Sequence, residues 1–148
     1  MSEARIEPGM RVLDYGCGPG SYLLPAAELV GEAGRIYALD KHPLAIRSVR
    51  KLISRRRLTN VETILSGCET GLPDNEVDRV LLYDVLHCLA APTSVLQELR
   101  PVLKPDGALS LNDHHTAEGE IVSVVTASGL FRLLRRGQRT YTFSPGQQ

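Results

Sequence analysis

Three carboxylates, a glycine-rich turn and a run of histidines are the residues of this 148-residue chain best suited to chemistry. Asp14 stands just before the turn Gly16-Cys17-Gly18-Pro19-Gly20, Asp40 lies twenty residues beyond Gly20, and Asp84 closes another apolar run. Glycines let the backbone come close to a ligand, and an acid ending the next strand can accept both hydroxyls of a ribose. Asp14 discriminates between ligands. A dinucleotide would lay its pyrophosphate on the turn and the following helix N-terminus, where a neighbouring carboxylate repels it. S-adenosylmethionine has no phosphate and carries an ammonium and a sulfonium, so an acid suits it. Ser21 also departs from the small residue, Gly or Ala, that the dinucleotide fingerprint wants there.

Methyl transfer from a sulfonium is an in-line displacement whose leaving group needs no proton, so a base is required only when the acceptor starts protonated. Catalytic residues are therefore the least legible part of the sequence. The candidates are Asp113, His114 and His115, on one rim loop, and His87, just after Asp84. A histidine there can take a proton or orient a substrate, since imidazole titrates near neutral pH. The bland alternatives are a polar loop with Asp113 capping the next helix, and a cleft-wall role for His87. Tyr22 is expected to pack. Cys17, Cys68 and Cys88 are an odd number without CxxC spacing, which suggests reduced thiols and neither a disulfide framework nor a metal site.

These side chains need elements to hold them. Arg11–Tyr15 reads as a strand and Ser21 opens a helix with Leu23, Ala27 and Val30 on one stripe, ended by Gly31 and Gly34. Arg35–Asp40, Val61–Leu65, Val80–Asp84 and Ala108–Asn112 read as further strands. Pro43 opens a second helix, and helices are expected over Pro92–Lys104 and Glu118–Ser128. Phe131–Leu134 and Thr140–Phe143 form a hairpin. The alternation implies one α/β domain over residues 1–148, doubly wound, Rossmann-like and mostly parallel, with helices on both faces and no separate substrate cap.

Val12-Leu13-Asp14-Tyr15-Gly16-Cys17-Gly18-Pro19-Gly20 resembles the first motif of class I S-adenosylmethionine-dependent methyltransferases. Leu39-Asp40 resembles the family's ribose-binding acid. Leu72-Pro73-Asp74-Asn75-Glu76-Val77-Asp78 with Leu82-Tyr83-Asp84-Val85-Leu86-His87 resembles the segment around its fourth strand. Leu99-Arg100-Pro101-Val102-Leu103-Lys104-Pro105-Asp106-Gly107 is similar to its turn before strand five. The resemblance implies a seven-stranded sheet ending in an antiparallel hairpin, S-adenosylmethionine as cofactor and S-adenosylhomocysteine as product. It also implies that Gly16, Cys17, Gly18 and Gly20 line the methionine and ribose portion. Asp14 or Asp84 would hold the amino group, and Asp40 with Lys41 the ribose end. The adenine contact falls to Cys68, where the family often has an acid, to Glu69, or to backbone.

Composition narrows the partners. Seventeen basic and seventeen acidic residues give zero formal charge, which removes the simplest argument for a nucleic-acid binder. Residues 41–61 nevertheless hold seven Lys or Arg and no acid, and residues 121–148 hold four Arg and no acid. The helix carrying Arg47, Arg50, Lys51 and Arg55–Arg57 is expected to be a solvated face. No apolar run reaches the ~18 residues of a membrane span, and a cytoplasmic location is expected. A small-molecule acceptor is favoured, with RNA or protein acceptors left open, and a homodimer or partner subunit would cover the open substrate side. The other readings are a non-catalytic cofactor-binding module supporting a partner protein and, more weakly, an NAD(P)-linked oxidoreductase.

Overall fold

A computed structural model describes residues 1–146. Its strands are β1 (Arg11–Tyr15), β2 (Arg35–Asp40), β3 (Val61–Leu65), β4 (Val77–Tyr83), β5 (Leu103–Asn112), β6 (Phe131–Arg136) and β7 (Tyr141–Pro145). The α-helices are α1 (Leu23–Val30), α2 (Pro43–Arg56), α3 (Pro92–Val102) and α4 (Glu118–Thr126). The strands form one sheet in the order β3-β2-β1-β4-β5-β7-β6. All pairs are parallel except β5–β7 and β6–β7, the C-terminal hairpin.

The two-residue period of the strands divides the apolar side chains between two cores. Leu13, Tyr15, Leu39, Val80, Leu82 and Leu109 pack with Val95, Leu96 and Leu99 of α3 and Ile121 of α4. On the other face Val12, Ile36, Ala38 and Leu81 meet Leu23, Ala27 and Val30 of α1 and Ile46 and Val49 of α2. Asp14 shares the parity of Val12, so its carboxyl enters this second face beneath the glycine turn. Order reverses between β1 and β4, each of which runs on from a central pairing of Val12–Asp14 with Arg79–Leu81. Such a reversal opens a crevice at the carboxyl ends of the strands.

Several boundaries differ from the sequence expectation. β4 begins at Val77, and Asp84 lies beyond its end with a left-handed φ of 53°. β5 begins at Leu103, which pairs with Val77, and Arg79 then pairs with Ala108. The Lys104–Gly107 turn is thus a bulge within the strand. Asp78 holds it, accepting from Lys104 Nζ at 2.9 Å and from the Arg11 amide at 2.9 Å. α1 begins at Leu23, two residues later than expected, with Tyr22 at its cap. α3 runs straight into β5 and ends at Val102, short of Lys104, with Pro101 in its last turn. α4 ends at Thr126, before Ser128.

The N-terminal segment folds over the α1 side of the sheet, burying Ala4 and Ile6. Its Glu3 carboxylate accepts from the backbone of Gln138 and Thr140 at 2.8 Å each and from the Thr140 hydroxyl at 2.7 Å. This clasp fixes the β6–β7 turn at the end of the sheet that carries the crevice.

Candidate active site

The glycine turn is tied to the end of β2. Gly16 and Cys17 both donate to the Leu39 carbonyl, at 2.8 and 2.9 Å, and Gly18 donates to Asp40 Oδ2 at 2.9 Å. The His42 amide donates to Asp40 Oδ1 at 2.9 Å. Both oxygens of Asp40 are thereby aimed, and each retains a lone pair for a ligand hydroxyl. Gly16 is required on two counts. Its φ is +76°, and a Cβ there would stand 2.5 Å from Val85 Cγ2.

Asp14 is 3% exposed, and its Oδ2 has no hydrogen-bond partner. Burial, aided by the negative charge of Asp40, pushes its carboxyl up to about 7. Cys17 beside it is driven in the same direction, to about 12, by burial and by Asp14 and Asp40, so its thiol stays protonated.

A cleft of about 440 Å³ opens along the ends of β1, β2, β3 and β4. Of the sequence candidates, Gly16, Asp40, Lys41, Cys68 and Asp84 line it. Asp14, Cys17, Gly18 and Gly20 do not line it, and Glu69 is exposed outside it. An apolar wall from Val85, Leu89, Ala91 and Val95 completes the cleft. That wall was invisible in the sequence as a site, because an apolar loop between a strand and a helix looks like any other core segment. Tyr15 donates to the Cys68 carbonyl at 3.0 Å, which pins the loop after β3.

The histidines sort into two pairs. Asp84 Oδ1 accepts from the His114 amide at 2.9 Å and lies 2.8 Å from its Nδ1. Burial acts to raise the Asp84 carboxyl, but these bonds outweigh it and hold the group below the usual range. Asp113 Oδ2 likewise meets the amide and Nδ1 of His87, each at 2.9 Å, and Oδ1 accepts from the His115 amide at 2.8 Å. Here too burial pulls upward and the hydrogen bonds win, leaving Asp113 low. Asp113 therefore does not cap α4. Ala117 is the cap, and Asp113 instead bridges two loops. Beyond that amide, His115 sets its ring against His87, with centroids 4.4 Å apart and the planes tilted by 47°.

A second pocket, of about 280 Å³, lies between the loop after β5, α4 and the β6–β7 turn, lined by His114, Asn112, Arg136, Arg139 and Tyr141. The bonded pair Asp84–His114 has one member on each cavity, so it forms their shared wall. Tyr22 packs edge-on to Tyr83 at 5.0 Å. The basic residues of α2 are exposed, as a solvated face should be. Among the described residues, no group of three or more His, Cys, Asp or Glu is arranged to hold a metal ion, and no helix is long and apolar enough to cross a membrane.

The strand order, the glycine turn with an acid on either side of it, and the third acid after β4 define a class I, Rossmann-like methyltransferase fold. The chain belongs to the methyltransferase domain family, whose model matches residues 6–142. It is similar to a SAM-dependent methyltransferase of known structure from Aquifex aeolicus, with a TM-score of 0.86 and 28% identity over 97% of this chain and 85% of that one. Aklanonic acid methyltransferase DauC of Streptomyces sp. (strain C5) is 42% identical over 96 residues, 60% of this chain and 44% of its own length. Demethylmenaquinone methyltransferase of Listeria monocytogenes serotype 4a is 32% identical over 114 residues, 76% of this chain and 48% of its own. The chain thus spans less than half the length of these two curated relatives.

Proposed function

We propose that this chain is an S-adenosylmethionine-dependent methyltransferase acting on a small molecule. The cofactor belongs in the cleft, and the acceptor in the second pocket across the Asp84–His114 wall. The observation that carries the reading is Asp14, a buried carboxyl with an oxygen that has no partner. A buried group of that kind calls for a ligand to complete it, and a cationic ligand suits a carboxylate beneath the glycine turn. The same carboxylate would oppose the pyrophosphate of a nicotinamide dinucleotide.

The bound cofactor supplies a methyl group on a positively charged sulfur. Asp40 holds the ribose hydroxyls with its two aimed oxygens. The free Oδ2 of Asp84, which lines the cleft, holds the ammonium, and Asp14 adds its negative charge from beneath the glycine turn. Cys68 and its neighbours Ser66 and Gly67 face the adenine, and the apolar wall from Val85 to Val95 excludes water. His114 presents Nδ1–H to Asp84, which leaves Nε2 with a lone pair. Nε2 accepts the acceptor's proton, and the ionised Asp84 stabilises the imidazolium. DauC is named for aklanonic acid and the second relative for demethylmenaquinone, neither of them a nucleic acid or a protein, which favours a small-molecule acceptor here.

The test is transfer of labelled methyl from S-adenosylmethionine into fractionated cell extract. Label in the small-molecule fraction, lost in His114→Gln, supports the reading. Label in RNA or protein alone overturns the acceptor class. Cofactor binding with no transfer to any fraction favours the second reading, a module that serves a partner. That reading draws on the open second pocket.

A further inference from the structure

Cys88 is exposed at the mouth of the cleft, and its Sγ lies 3.1 Å from Nε2 of the neighbouring His87. Nδ1 of the same ring lies 2.9 Å from Asp113 Oδ2, whose side chain is wholly buried. The Asp113 carboxylate also accepts two backbone amides, those of His87 and His115, so it cannot swing away without orphaning them. The His115 ring packs against the same imidazole, centroids 4.4 Å apart and tilted by 47°. A nucleophile, a base and an orienting carboxylate are thus within hydrogen-bond reach in sequence, the general signature of an activated thiol. The methyl transfer proposed above assigns no role to this set, since it uses the Asp84–His114 pair on the wall between the two cavities.

From this geometry we propose that Cys88 is a covalent modification site, a reactive thiol that exchanges with small disulfides. Nδ1–H faces Asp113, so Nε2 carries the lone pair that receives the Cys88 proton. The sulfur attacks one sulfur of a disulfide, the S–S bond breaks, and the departing thiolate leaves with its electron pair. The proton held on His87 passes to that thiolate. One disulfide is consumed and one mixed disulfide is formed on Cys88, with release of one thiol, so no further oxidant is needed. Acyl chemistry is not supported. The amides beside the sulfur are already engaged, Cys88 with Val85 at 2.9 Å and Leu89 with Leu86 at 3.2 Å, which leaves no oxyanion hole. Displacement at sulfur requires none. The other two thiols lack this arrangement: Cys17 is buried, and Cys68 has no base beside it.

The test uses glutathione disulfide as the probe, with intact-mass and peptide mass spectrometry on the full chain. The expected result is one glutathionyl adduct, on Cys88, formed at least about tenfold faster than on Cys68 at pH 7. His87→Gln should slow it by about tenfold or more at pH 7. At pH 10 the two proteins should react at similar rates, because hydroxide then does the work of the base. A deficit of His87→Gln that persisted at pH 10 would mark a misplaced loop instead of a missing base, and would overturn the proposal. Asp113→Asn, which keeps only one of the two accepting oxygens and removes the charge, should also slow the reaction at pH 7. Reaction of Cys88 no faster than Cys68, or an unaltered rate in His87→Gln at pH 7, would also overturn it. The assay is run without S-adenosylmethionine, so its outcome and that of the proposed function are read separately.

Discussion

Replacing Asp14 by Asn should stabilise the ligand-free protein while weakening its hold on the cofactor. The carboxyl is raised from 3.8 to about 7 by burial and by Asp40. A raised acid is favoured in its protonated form by the fold, so its contribution is at full strength below pH 3.8 and is lost as pH rises through 7. The whole shift is worth roughly 4 kcal/mol at pH 8, most of it already lost by pH 6 and about 1 kcal/mol lost between pH 6 and pH 8. Asn has the same shape and no proton to lose. Urea unfolding of both proteins at pH 5, 6, 7 and 8 should therefore show the variant gaining on the wild type with each step. Subtracting one curve from the other removes the carboxylates common to both. In calorimetry at pH 8 the variant should bind S-adenosylmethionine about tenfold more weakly, since a neutral amide replaces a charge facing an ammonium. A stability difference that stayed flat within ~0.5 kcal/mol across this range would refute the assignment of a strained, ligand-awaiting carboxyl.

Gly16→Ala combines a left-handed backbone with a methyl pressed on Val85, and should cost about 1–3 kcal/mol in urea unfolding. Val85→Ala in the same chain should recover the contact part of that loss and leave the backbone part. Glu3 is held down to about 2, chiefly by the Thr140 hydroxyl, against the opposing pull of burial and with help from the backbone amides of residues 138–140. A lowered acid stabilises above its unfolded value of 4.5, and that support is lost as pH falls toward 2. Glu3→Gln should thus lower the Tm at pH 7, and the deficit should vanish near pH 2 in a melting series. His114→Gln should reduce kcat about 10²–10⁴-fold with a hydroxyl or amine acceptor. Its cofactor Kd should stay within about threefold, as checked by calorimetry.

The sheet was legible because strands and helices declare themselves by period, and β1, β2 and β3 fall on the expected residues. The starts of β4 and β5 were not, because a bulge pairing Val77 with Leu103 depends on Asp78 gripping Lys104 and Arg11, and no local signal announces a contact across that distance. Asp40 and Asp84 stood out as acids ending strands, and both line the cleft. Asp14 was legible as an acid but not as a buried one, since burial follows from strand parity and the packing of α1. The sequence left the role of Asp113 open, between a rim group and a helix cap, for a related reason. A local cap and a contact with His87, twenty-six residues earlier, are equally compatible with its place in the chain. The Glu3 clasp joins residues 137 apart and left no trace in the pattern.

Cofactor identity rests on the acids beneath and beside the glycine turn, and titration calorimetry reads it most directly. S-adenosylmethionine, S-adenosylhomocysteine and NAD would each be titrated into the wild-type chain and into Asp40→Ala. Binding of the first two at one per chain, weakened about tenfold or more by Asp40→Ala, with no heat from NAD, is the expected result. Tight NAD binding with none of the methyl donor would contradict it.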